Sequence, residues 1–242
     1  MITPKMTTKP KWFYDEMKHA GVDYSDPAQV QAYDSRHQKF RDYKKASEAI
    51  INRLGLGPDH TVIDMGAGTG AFALHAARYC EKIYAVDVSQ TMLDYSRQKA
   101  DRAGLKNIVF CHGGFLTYEH RTEPADAMVS VGVLHHLPDF WKLVGLGRAI
   151  EMLKAGGRLY LFDVVFPSDI ADYEARFDNW VSSFARSIDP DFASEVEAHI
   201  RDEYSTFDWI MEGFLQRVGF HIDSAEYTDG FGATYICTKR IK

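Results

Sequence analysis

The sequence is poor in cysteine, in long apolar runs and in surplus positive charge. Its 242 residues include three cysteines, Cys80, Cys111 and Cys237, which lie far apart and form no CxxC motif. This spacing favours neither a zinc site nor a disulfide framework, and it predicts a reducing, cytoplasmic setting. The first ten residues lack the apolar stretch of a secretory signal, and no apolar run is long enough to span a bilayer.

The charge balance is mildly acidic. The chain has 28 Lys and Arg against 34 Asp and Glu, a net charge of −6, whereas nucleic-acid-binding proteins usually carry a basic surplus. Residues 1–46 have a local net charge of +3, and residues 165–208 have one of −8. The acidic segment is either a solvated surface or a bias of a nearby pocket toward cationic or neutral acceptors. A nucleic-acid partner is not expected.

The composition, with 45% hydrophobic and 26% charged residues, is that of one globular domain with elaborations. Between residues 60 and 165, short apolar runs alternate with longer amphipathic ones, which is typical of βαβ units around a parallel sheet. The pattern predicts five strands in this region, at 61–65, 82–87, 108–111, 125–131 and 158–164, with helices at about 69–79, 90–103 and 139–153. Two last strands, 220–227 and 233–239, are joined by the hairpin sequence Thr228-Asp229-Gly230.

Local signals fix several helix ends. Ser89 and Asp139 are predicted to begin the second and third helices, and Gly104 and the pair Gly156-Gly157 to follow their ends. A later helix is predicted to begin near Ser205, which forms a box-like pattern with Asp208, and to end before Gly219.

Helical segments are expected outside the alternating region. Residues 12–54 look helical and rich in aromatic residues, and we assign residues 1–44 to an N-terminal helical lid. Residues 45–242 form the α/β domain, with a helical insert at 166–218. In the insert, apolar residues recur at spacings of three and four and predict one apolar helix face: Ile170, Tyr173, Phe177, Trp180 and Phe184. Lid and insert are the candidate roof of a pocket for a fairly small, partly apolar molecule.

The first strand leads into a glycine-rich segment, Asp64-Met65-Gly66-Ala67-Gly68-Thr69-Gly70-Ala71. Glycines permit a tight turn from strand to helix and a close approach of a ligand to the backbone. The segment reads as GxGxG, but it also fits the dinucleotide pattern GxGxxG/A. Asp87 closes the second strand about 20 residues later, where a carboxylate can accept hydrogen bonds from a ribose. Because S-adenosylmethionine and NAD both carry a ribose, both cofactors stay open at this point.

Other features distinguish the two cofactors. A helical segment precedes the loop, a hairpin ends the chain, the fourth unit runs DAMVSVGVLHHLPD from Asp126 to Asp139, and the fifth runs LKAGGRL from Leu153 to Leu159. This set, in this order, resembles the class I S-adenosylmethionine-dependent methyltransferases, in particular the small-molecule, ubiquinone-biosynthesis-like branch. The resemblance covers residues 45–165 well and 219–239 moderately. It implies a doubly wound, mostly parallel seven-stranded sheet of order 3-2-1-4-5-7-6, with the last-added strand antiparallel.

The resemblance also implies S-adenosyl-L-methionine as cofactor, S-adenosyl-L-homocysteine as product, and a set of binding residues. It places Asp64, Gly66, Ala67 and Gly68 around the methionine part, Asp87 at the ribose, Val88 and Met92 against the adenine, and Ser130 and Val131 beside the amino-acid moiety and methyl group. Many relatives have an Asp after the third strand to meet the adenine amine, where this chain has His112-Gly113-Gly114-Phe115. A backbone carbonyl or the packing of Phe115 could substitute, so Gly114 and Phe115 are also candidate contacts.

Two residues are candidates for a catalytic role, His135 and Tyr33. His135 and its neighbour His136 could order a loop, act as a general base or contact the substrate. Because adjacent helical residues point in different directions, the pair predicts no metal site. Tyr33 could close over the cofactor or pack the lid onto the core.

The implied activity is transfer of a methyl group to an O, N, S or C atom of a small molecule by in-line displacement. The run Ser130-Val131-Gly132-Val133 replaces the Asn/Asp-Pro-Pro-aromatic run usual in enzymes that methylate base amines. Carboxylates that would define a metal-dependent catechol enzyme are not identified. Two alternatives stay open, a non-catalytic module that binds S-adenosylmethionine or its product, and an NAD-dependent oxidoreductase.

Overall fold

The computed structural model describes residues 9–18, 26–27, 30–31, 33–34, 42–166, 170–188, 190–228 and 231–241. The helices in these ranges are α1 (Tyr43–Leu54), α2 (Ala71–Ala76), α3 (Gln90–Arg102), α4 (Asp139–Glu151), α5 (Tyr173–Ser187), α6 (Pro190–Asp202) and α7 (Asp208–Val218). The strands are β1 (Thr61–Met65), β2 (Lys82–Asp87), β3 (Ile108–His112), β4 (Ala125–Val131), β5 (Leu153–Phe166), β6 (Thr206–Phe207), β7 (Phe220–Thr228) and β8 (Gly232–Lys239). Within these ranges, no helix combines the length and the apolar character that crossing a membrane requires.

The strands form one sheet with the order β3-β2-β1-β4-β5-β8-β7. Strands β1 to β5 are parallel, and β8 runs antiparallel to both β5 and β7. This confirms the predicted sheet; the numbers of the last two strands are one higher because the two-residue strand β6 pairs beside the end of β5.

The central strands are buried on both faces, as expected for a parallel sheet covered by helices. On one face Met128 packs with Leu146 of α4 and Leu215 of α7, and on the other Val129 packs with residues of α1 and α2, including Ile50. Full burial of a side chain such as Leu146 contributes about 1.5–3 kcal/mol. Packing of this kind holds the loops at the carboxyl ends of the strands in fixed positions.

Several predicted helix ends are confirmed. The hydroxyl of Ser89 accepts a hydrogen bond from the Met92 amide at 3.2 Å, which caps α3. Gly104 and Gly219 follow the ends of α3 and α7 with positive φ angles of 68° and 113°.

Two other predicted ends differ in part or in whole. Helix α4 begins at Asp139, as predicted, but Pro138 occupies its N-cap, and the carboxylate of Asp139 accepts from the Lys142 ammonium instead of capping the helix. The pair Gly156-Gly157 lies inside β5, because this strand already begins to pair with β4 at Leu153, across an irregular register.

The helical segments also differ from the predictions. Residues 11–18 form turns rather than a helix, whereas the described residues 27, 30–31 and 33–34 are helical, as expected. The helix expected near Ser205 begins at Asp208, because residues 206–207 first pair with β5. The predicted apolar stripe is partly exposed and begins later, since Ile170 lies before α5 and Ile170 and Tyr173 have exposed fractions of 65% and 53%. Asp229 and Gly230 of the predicted hairpin lie outside the described residues.

Candidate active site

A cavity of about 430 Å³ opens at the carboxyl ends of β1 to β4. Ligands of open α/β sheets bind at this edge, where loops from neighbouring strands converge. One end of the cavity is formed by the glycine loop after β1 and the residues after β2 and β3, and the other end by the residues after β4 and by α5 and α6.

Most of the residues predicted for the site line this cavity. They are Tyr33, Gly66, Gly68, Asp87, Val88, Met92, Gly114, Phe115, Val131 and His135. Asp64, Ala67 and Ser130 do not contribute to the lining, because their side chains are buried within the sheet and the loop.

Glycine is needed at two positions of the loop for different structural reasons. Gly66 has a φ of +80°, and a Cβ there would lie 2.2 Å from Cγ2 of Val133, so the loop packs tightly against the chain after β4. Gly68 has a φ of +52°, but a Cβ there would meet no atom within 4 Å. The backbone at Gly68 is therefore open to the cavity, as a loop that lies against a ligand requires.

Asp87 connects the loops after β1 and β2. Its Oδ2 accepts a hydrogen bond from the amide of Gly68 at 2.7 Å, and its Oδ1 accepts one from the amide of Ser89 at 2.8 Å. These contacts fix the carboxylate at the floor of the cavity.

Asp64 lies behind the same loop. Burial, with a further contribution from the charge of Asp87, raises the pKa of Asp64 to about 7. Among the described residues its Oδ2 has no hydrogen-bond partner. A buried carboxylate in this condition is stabilised by a cation or a donor brought in by a ligand.

Described parts of the N-terminal segment meet the cavity. Tyr33 lines it, and the neighbouring Asp34 accepts from the Lys99 ammonium at 2.7 Å, while that ammonium also donates to the Thr69 carbonyl at 2.9 Å. Glu16 accepts a hydrogen bond from the amide of Leu116 at 3.0 Å. The segment is thus attached to the rim at the end of the cavity that the glycine loop forms.

An aromatic wall closes the other end. Trp180 of α5 stacks on Phe231 with a centroid distance of 4.4 Å and an interplanar angle of 17°, and Phe184 of α5 lies 5.3 Å from Phe192 of α6. All four line the cavity. The insert therefore supplies an apolar wall, as its sequence pattern predicted.

Below this wall, Asp163 of β5 fixes the turn that carries the two histidines. Its Oδ1 lies 2.6 Å from Nδ1 of His135. Its Oδ2 accepts from the amides of Leu134 and Val133 at 2.7 and 3.2 Å. Asp163 is fully buried, so these contacts replace the water that the carboxylate loses.

Glu203, which follows α6, completes a cluster with the histidines. Its Oε2 lies 3.4 Å from Nε2 of His135 and forms a short ion-pair contact with Nδ1 of His199. The rings of His135 and His136 have centroids 4.3 Å apart. The expectation that this pair would point apart is wrong, because the two residues lie in a tight 3-10 turn rather than on an α-helix.

The surroundings of the two histidines shift their pKa values in opposite directions. Burial alone would lower the pKa of His135, but the charge of Asp163 and its hydrogen bond outweigh burial and raise it. Burial and the neighbouring His135 lower the pKa of His136 to about 3. His136 is therefore a neutral imidazole at physiological pH, with a lone pair available to a ligand.

Three functional candidates of this cluster were not predicted from the sequence: Asp163, His199 and Glu203. A signal exists for Asp163, since it is a carboxylate inside the apolar strand sequence LYLFDVVF, where an acid needs a partner. His199 and Glu203 stand four residues apart, a spacing at which helical side chains meet.

Comparison with known proteins agrees with the fold. Residues 62–157 match the family model described as a methyltransferase domain. A protein of Bacillus cereus, named an uncharacterized methyltransferase, is 25% identical over 218 residues, which cover 90% of this chain and 92% of that protein.

Two solved structures have a similar fold. A structure named a putative S-adenosyl-L-methionine-dependent methyltransferase of Methanococcus maripaludis has a TM-score of 0.64 and 23% identity, covering 93% of this chain and 98% of that one. Magnesium protoporphyrin IX methyltransferase of Synechocystis PCC 6803, with bound S-adenosylhomocysteine, has a TM-score of 0.61 and 14% identity, covering 89% and 97%.

These likenesses and the sheet order define the fold as that of the class I methyltransferases. The resemblance to class I S-adenosylmethionine-dependent methyltransferases, inferred above from the glycine loop and the fourth and fifth units, is confirmed.

Proposed function

We propose that this protein transfers a methyl group from S-adenosyl-L-methionine to a small-molecule acceptor. One observation carries the proposal: a single cavity joins the glycine loop and Asp87 at one end to an aromatic wall and a His–Asp–Glu cluster at the other. A cofactor at the first end would present its reactive group toward an acceptor at the second.

The residues at the first end fit this cofactor. Asp87 is placed to accept hydrogen bonds from ribose hydroxyls, and the exposed backbone at Gly68 admits a ligand. Asp64 lies behind the loop rather than in the cavity lining, and we assign its unpartnered Oδ2 as the acceptor for the ammonium group of the methionine part once the loop admits the ligand. Val88 and Met92 supply apolar contacts for the adenine. When bound, the cofactor supplies a methyl group already activated as a sulfonium.

The protein's own contribution is alignment and exclusion of water. The wall formed by Trp180, Phe184 and Phe231 covers the acceptor end. Alignment of two reactants can lower a barrier by about 7–11 kcal/mol. Tyr33 is proposed to close the cofactor end, where it lies beside the cavity.

His135 is the proposed general base for an acceptor that must lose a proton. Its Nδ1 is engaged by Asp163, so Nε2 is the nitrogen that can accept a proton. General-base catalysis of this kind contributes roughly 10²–10⁴-fold.

Calorimetric titration tests the cofactor. The purified protein is titrated separately with S-adenosylmethionine, S-adenosylhomocysteine and NADH, next to Asp87→Ala and, as control, Asp94→Ala, which removes an exposed carboxylate of α3. We expect both adenosyl ligands to bind, and Asp87→Ala alone to weaken them by about 10–100-fold, the loss expected for a hydrogen bond to a charged group.

Each other outcome identifies an alternative. Binding of NADH alone would indicate an oxidoreductase. Binding of S-adenosylhomocysteine without its release from S-adenosylmethionine over a broad acceptor panel would indicate a non-catalytic binding module. Absence of any binding would refute the assignment of the loop.

A further inference from the structure

We propose that His135, His136 and Glu203 bind a divalent transition-metal ion at the acceptor end of the cavity. One ligand atom from each of the three residues lies within 4.8 Å of the others, and all three residues line the cavity. Two imidazoles and one carboxylate are a donor set that binds zinc and iron while leaving coordination positions open. The binding stands on these residues alone; only the role of the ion rests on the proposed function.

The distance between two of the ligand atoms fits a metal. Ligands about 2.1 Å from a tetrahedral zinc ion lie about 3.4 Å apart. Nε2 of His135 and Oε2 of Glu203 are separated by 3.4 Å. An ion between them can therefore reach both atoms with little movement of either side chain.

The hydrogen bonds around His135 expose a lone pair at the same place. A carboxylate can only accept, so Nδ1 of His135 carries a proton and donates it in a hydrogen bond to Asp163. Nε2 faces the carboxylate of Glu203, where it can hold either a second proton or a metal ion. Two acceptors that face each other at this distance repel unless a proton or a cation lies between them. The nearby ring of His136 offers a third ligand. A metal ion would bind this third ligand as well, whereas a proton shared by His135 and Glu203 would not need it.

Outer contacts hold the ligands in position. Asp163 orients His135, and His199 pairs with Glu203. Metal-binding histidines commonly have such a carboxylate partner, and carboxylate ligands are commonly held by a neighbouring donor as well. The amide of Tyr204 donates to the carbonyl of His135 at 2.8 Å, which attaches the chain beside Glu203 to the histidine turn.

The open coordination positions face the cavity and suggest the class of acceptor. A metal ion lowers the pKa of a coordinated hydroxyl, as it lowers that of bound water to about 7. Because the ion would occupy Nε2 of His135, this nitrogen would not act as the general base when metal is bound. A hydroxyl or thiol acceptor bound to the ion would instead release its proton to solvent. Its oxygen or sulfur would then form the bond to the methyl carbon as the sulfonium C–S bond breaks and its electron pair returns to sulfur. The site therefore favours O- or S-methylation.

Direct titration with the metals tests the site. Metal-free protein is titrated with Zn²⁺ by calorimetry and with Co²⁺ by visible absorption, for the wild type, Glu203→Gln, His136→Asn and Asp163→Asn. His221→Asn, which changes an exposed histidine, is the matched control. We expect one ion per chain in the wild type and control, about 10–100-fold weaker binding in Asp163→Asn, and still weaker binding in the two ligand variants.

Titration of every variant with S-adenosylhomocysteine separates this inference from the proposed function and checks folding. If the wild type binds S-adenosylhomocysteine but neither metal, the metal site is wrong and the cluster is held by a proton, whereas the cofactor assignment of the proposed function is supported. Equal metal affinity in the wild type, Glu203→Gln and His136→Asn would also refute the site. If metal binds as expected but no adenosyl ligand does, the metal site stands and the proposed function is wrong.

Discussion

Asp163 and His135 form a buried pair in which Oδ1 and Nδ1 are 2.6 Å apart and the aspartate side chain is fully shielded from solvent. The pair joins the middle of the sheet to the turn that carries the histidines. Because each partner favours the charged form of the other, it raises the pKa of His135 and lowers that of Asp163.

The first prediction concerns the pH dependence of stability without metal. A lowered aspartate pKa contributes stability that is lost as the pH falls through the folded-state value, and a raised histidine pKa contributes stability that is lost as the pH rises through its folded-state value. Asp163→Asn should therefore lower the free energy of unfolding most between the folded-state pKa of Asp163 and that of His135. The loss should be smaller at alkaline pH. Thermal unfolding with a chelator, over a series of pH values, measures this difference.

The matched control for Asp163→Asn is Asp223→Asn. Asp223 lies 3.8 Å from the exposed His221, and exposed pairs contribute only about 0–1 kcal/mol. A loss of stability in Asp163→Asn that is the same at every pH would contradict the prediction. It would indicate that the backbone contacts of Asp163, rather than its charge, stabilise the turn.

The second prediction separates ligand contact from backbone strain in the glycine loop. Gly68→Ala and Gly55→Ala both place a Cβ at a positive φ with no atom within 4 Å, so each should cost about 1–2 kcal/mol of stability. Only Gly68 lines the cavity. We expect Gly68→Ala alone to weaken binding of S-adenosylhomocysteine in calorimetry, and equal affinities in the two variants would argue against ligand contact at Gly68.

The third prediction concerns the raised pKa of Asp64. An aspartate whose pKa is raised to about 7 in the folded protein lowers the free energy of unfolding. This loss grows as the pH rises from the ordinary aspartate pKa toward 7. Asp64→Asn should therefore stabilise the ligand-free protein at pH 8, by at most about 4 kcal/mol, and leave it unchanged near pH 4.

Chemical unfolding at the two pH values measures this effect, and binding of S-adenosylmethionine should weaken in Asp64→Asn. If Asp64→Asn is instead less stable at pH 8, the carboxylate has a stabilising partner that the described contacts do not include.

The fourth prediction concerns the aromatic wall. Trp180→Ala removes the ring stacked on Phe231, whereas Tyr173→Ala changes an exposed residue of the same helix. For an acceptor found by release of S-adenosylhomocysteine, kcat/KM should fall about 10–200-fold or more in Trp180→Ala, the range for loss of one apolar contact or more. Affinity for S-adenosylhomocysteine should be unchanged. An equal loss of affinity for S-adenosylhomocysteine would contradict the prediction, because it would indicate that the wall contacts the cofactor rather than the acceptor.

The cofactor end of the cavity could be predicted from sequence because its determinants are local. The segment Asp64–Gly70 and Asp87 each follow directly from a strand, and parallel strands bring their carboxyl ends to one edge. The sheet order followed from the resemblance to a family. Binding contacts of Asp64, Ala67 and Ser130 remain predictions.

The acceptor end could not be predicted in this way. His135, Asp163 and Glu203 are far apart in the chain, and only the pairing of β4 with β5 and the docking of α6 bring them together. The backbone at His135 forms a 3-10 turn, which helical periodicity does not reveal. Strand β6 is only two residues long, too short for an apolar pattern to indicate it.

The insert between β5 and β7 has a consequence for how the protein could change its substrate. It supplies Trp180, Phe184, Phe192, His199 and Glu203 to the cavity, while the glycine loop and Asp87 lie on the core strands. Replacement of this one segment would therefore exchange both the aromatic wall and the carboxylate beside it. Under the proposed function, a change of methyl acceptor would need new sequence in this segment alone, while the core that we propose binds the methyl donor stays the same.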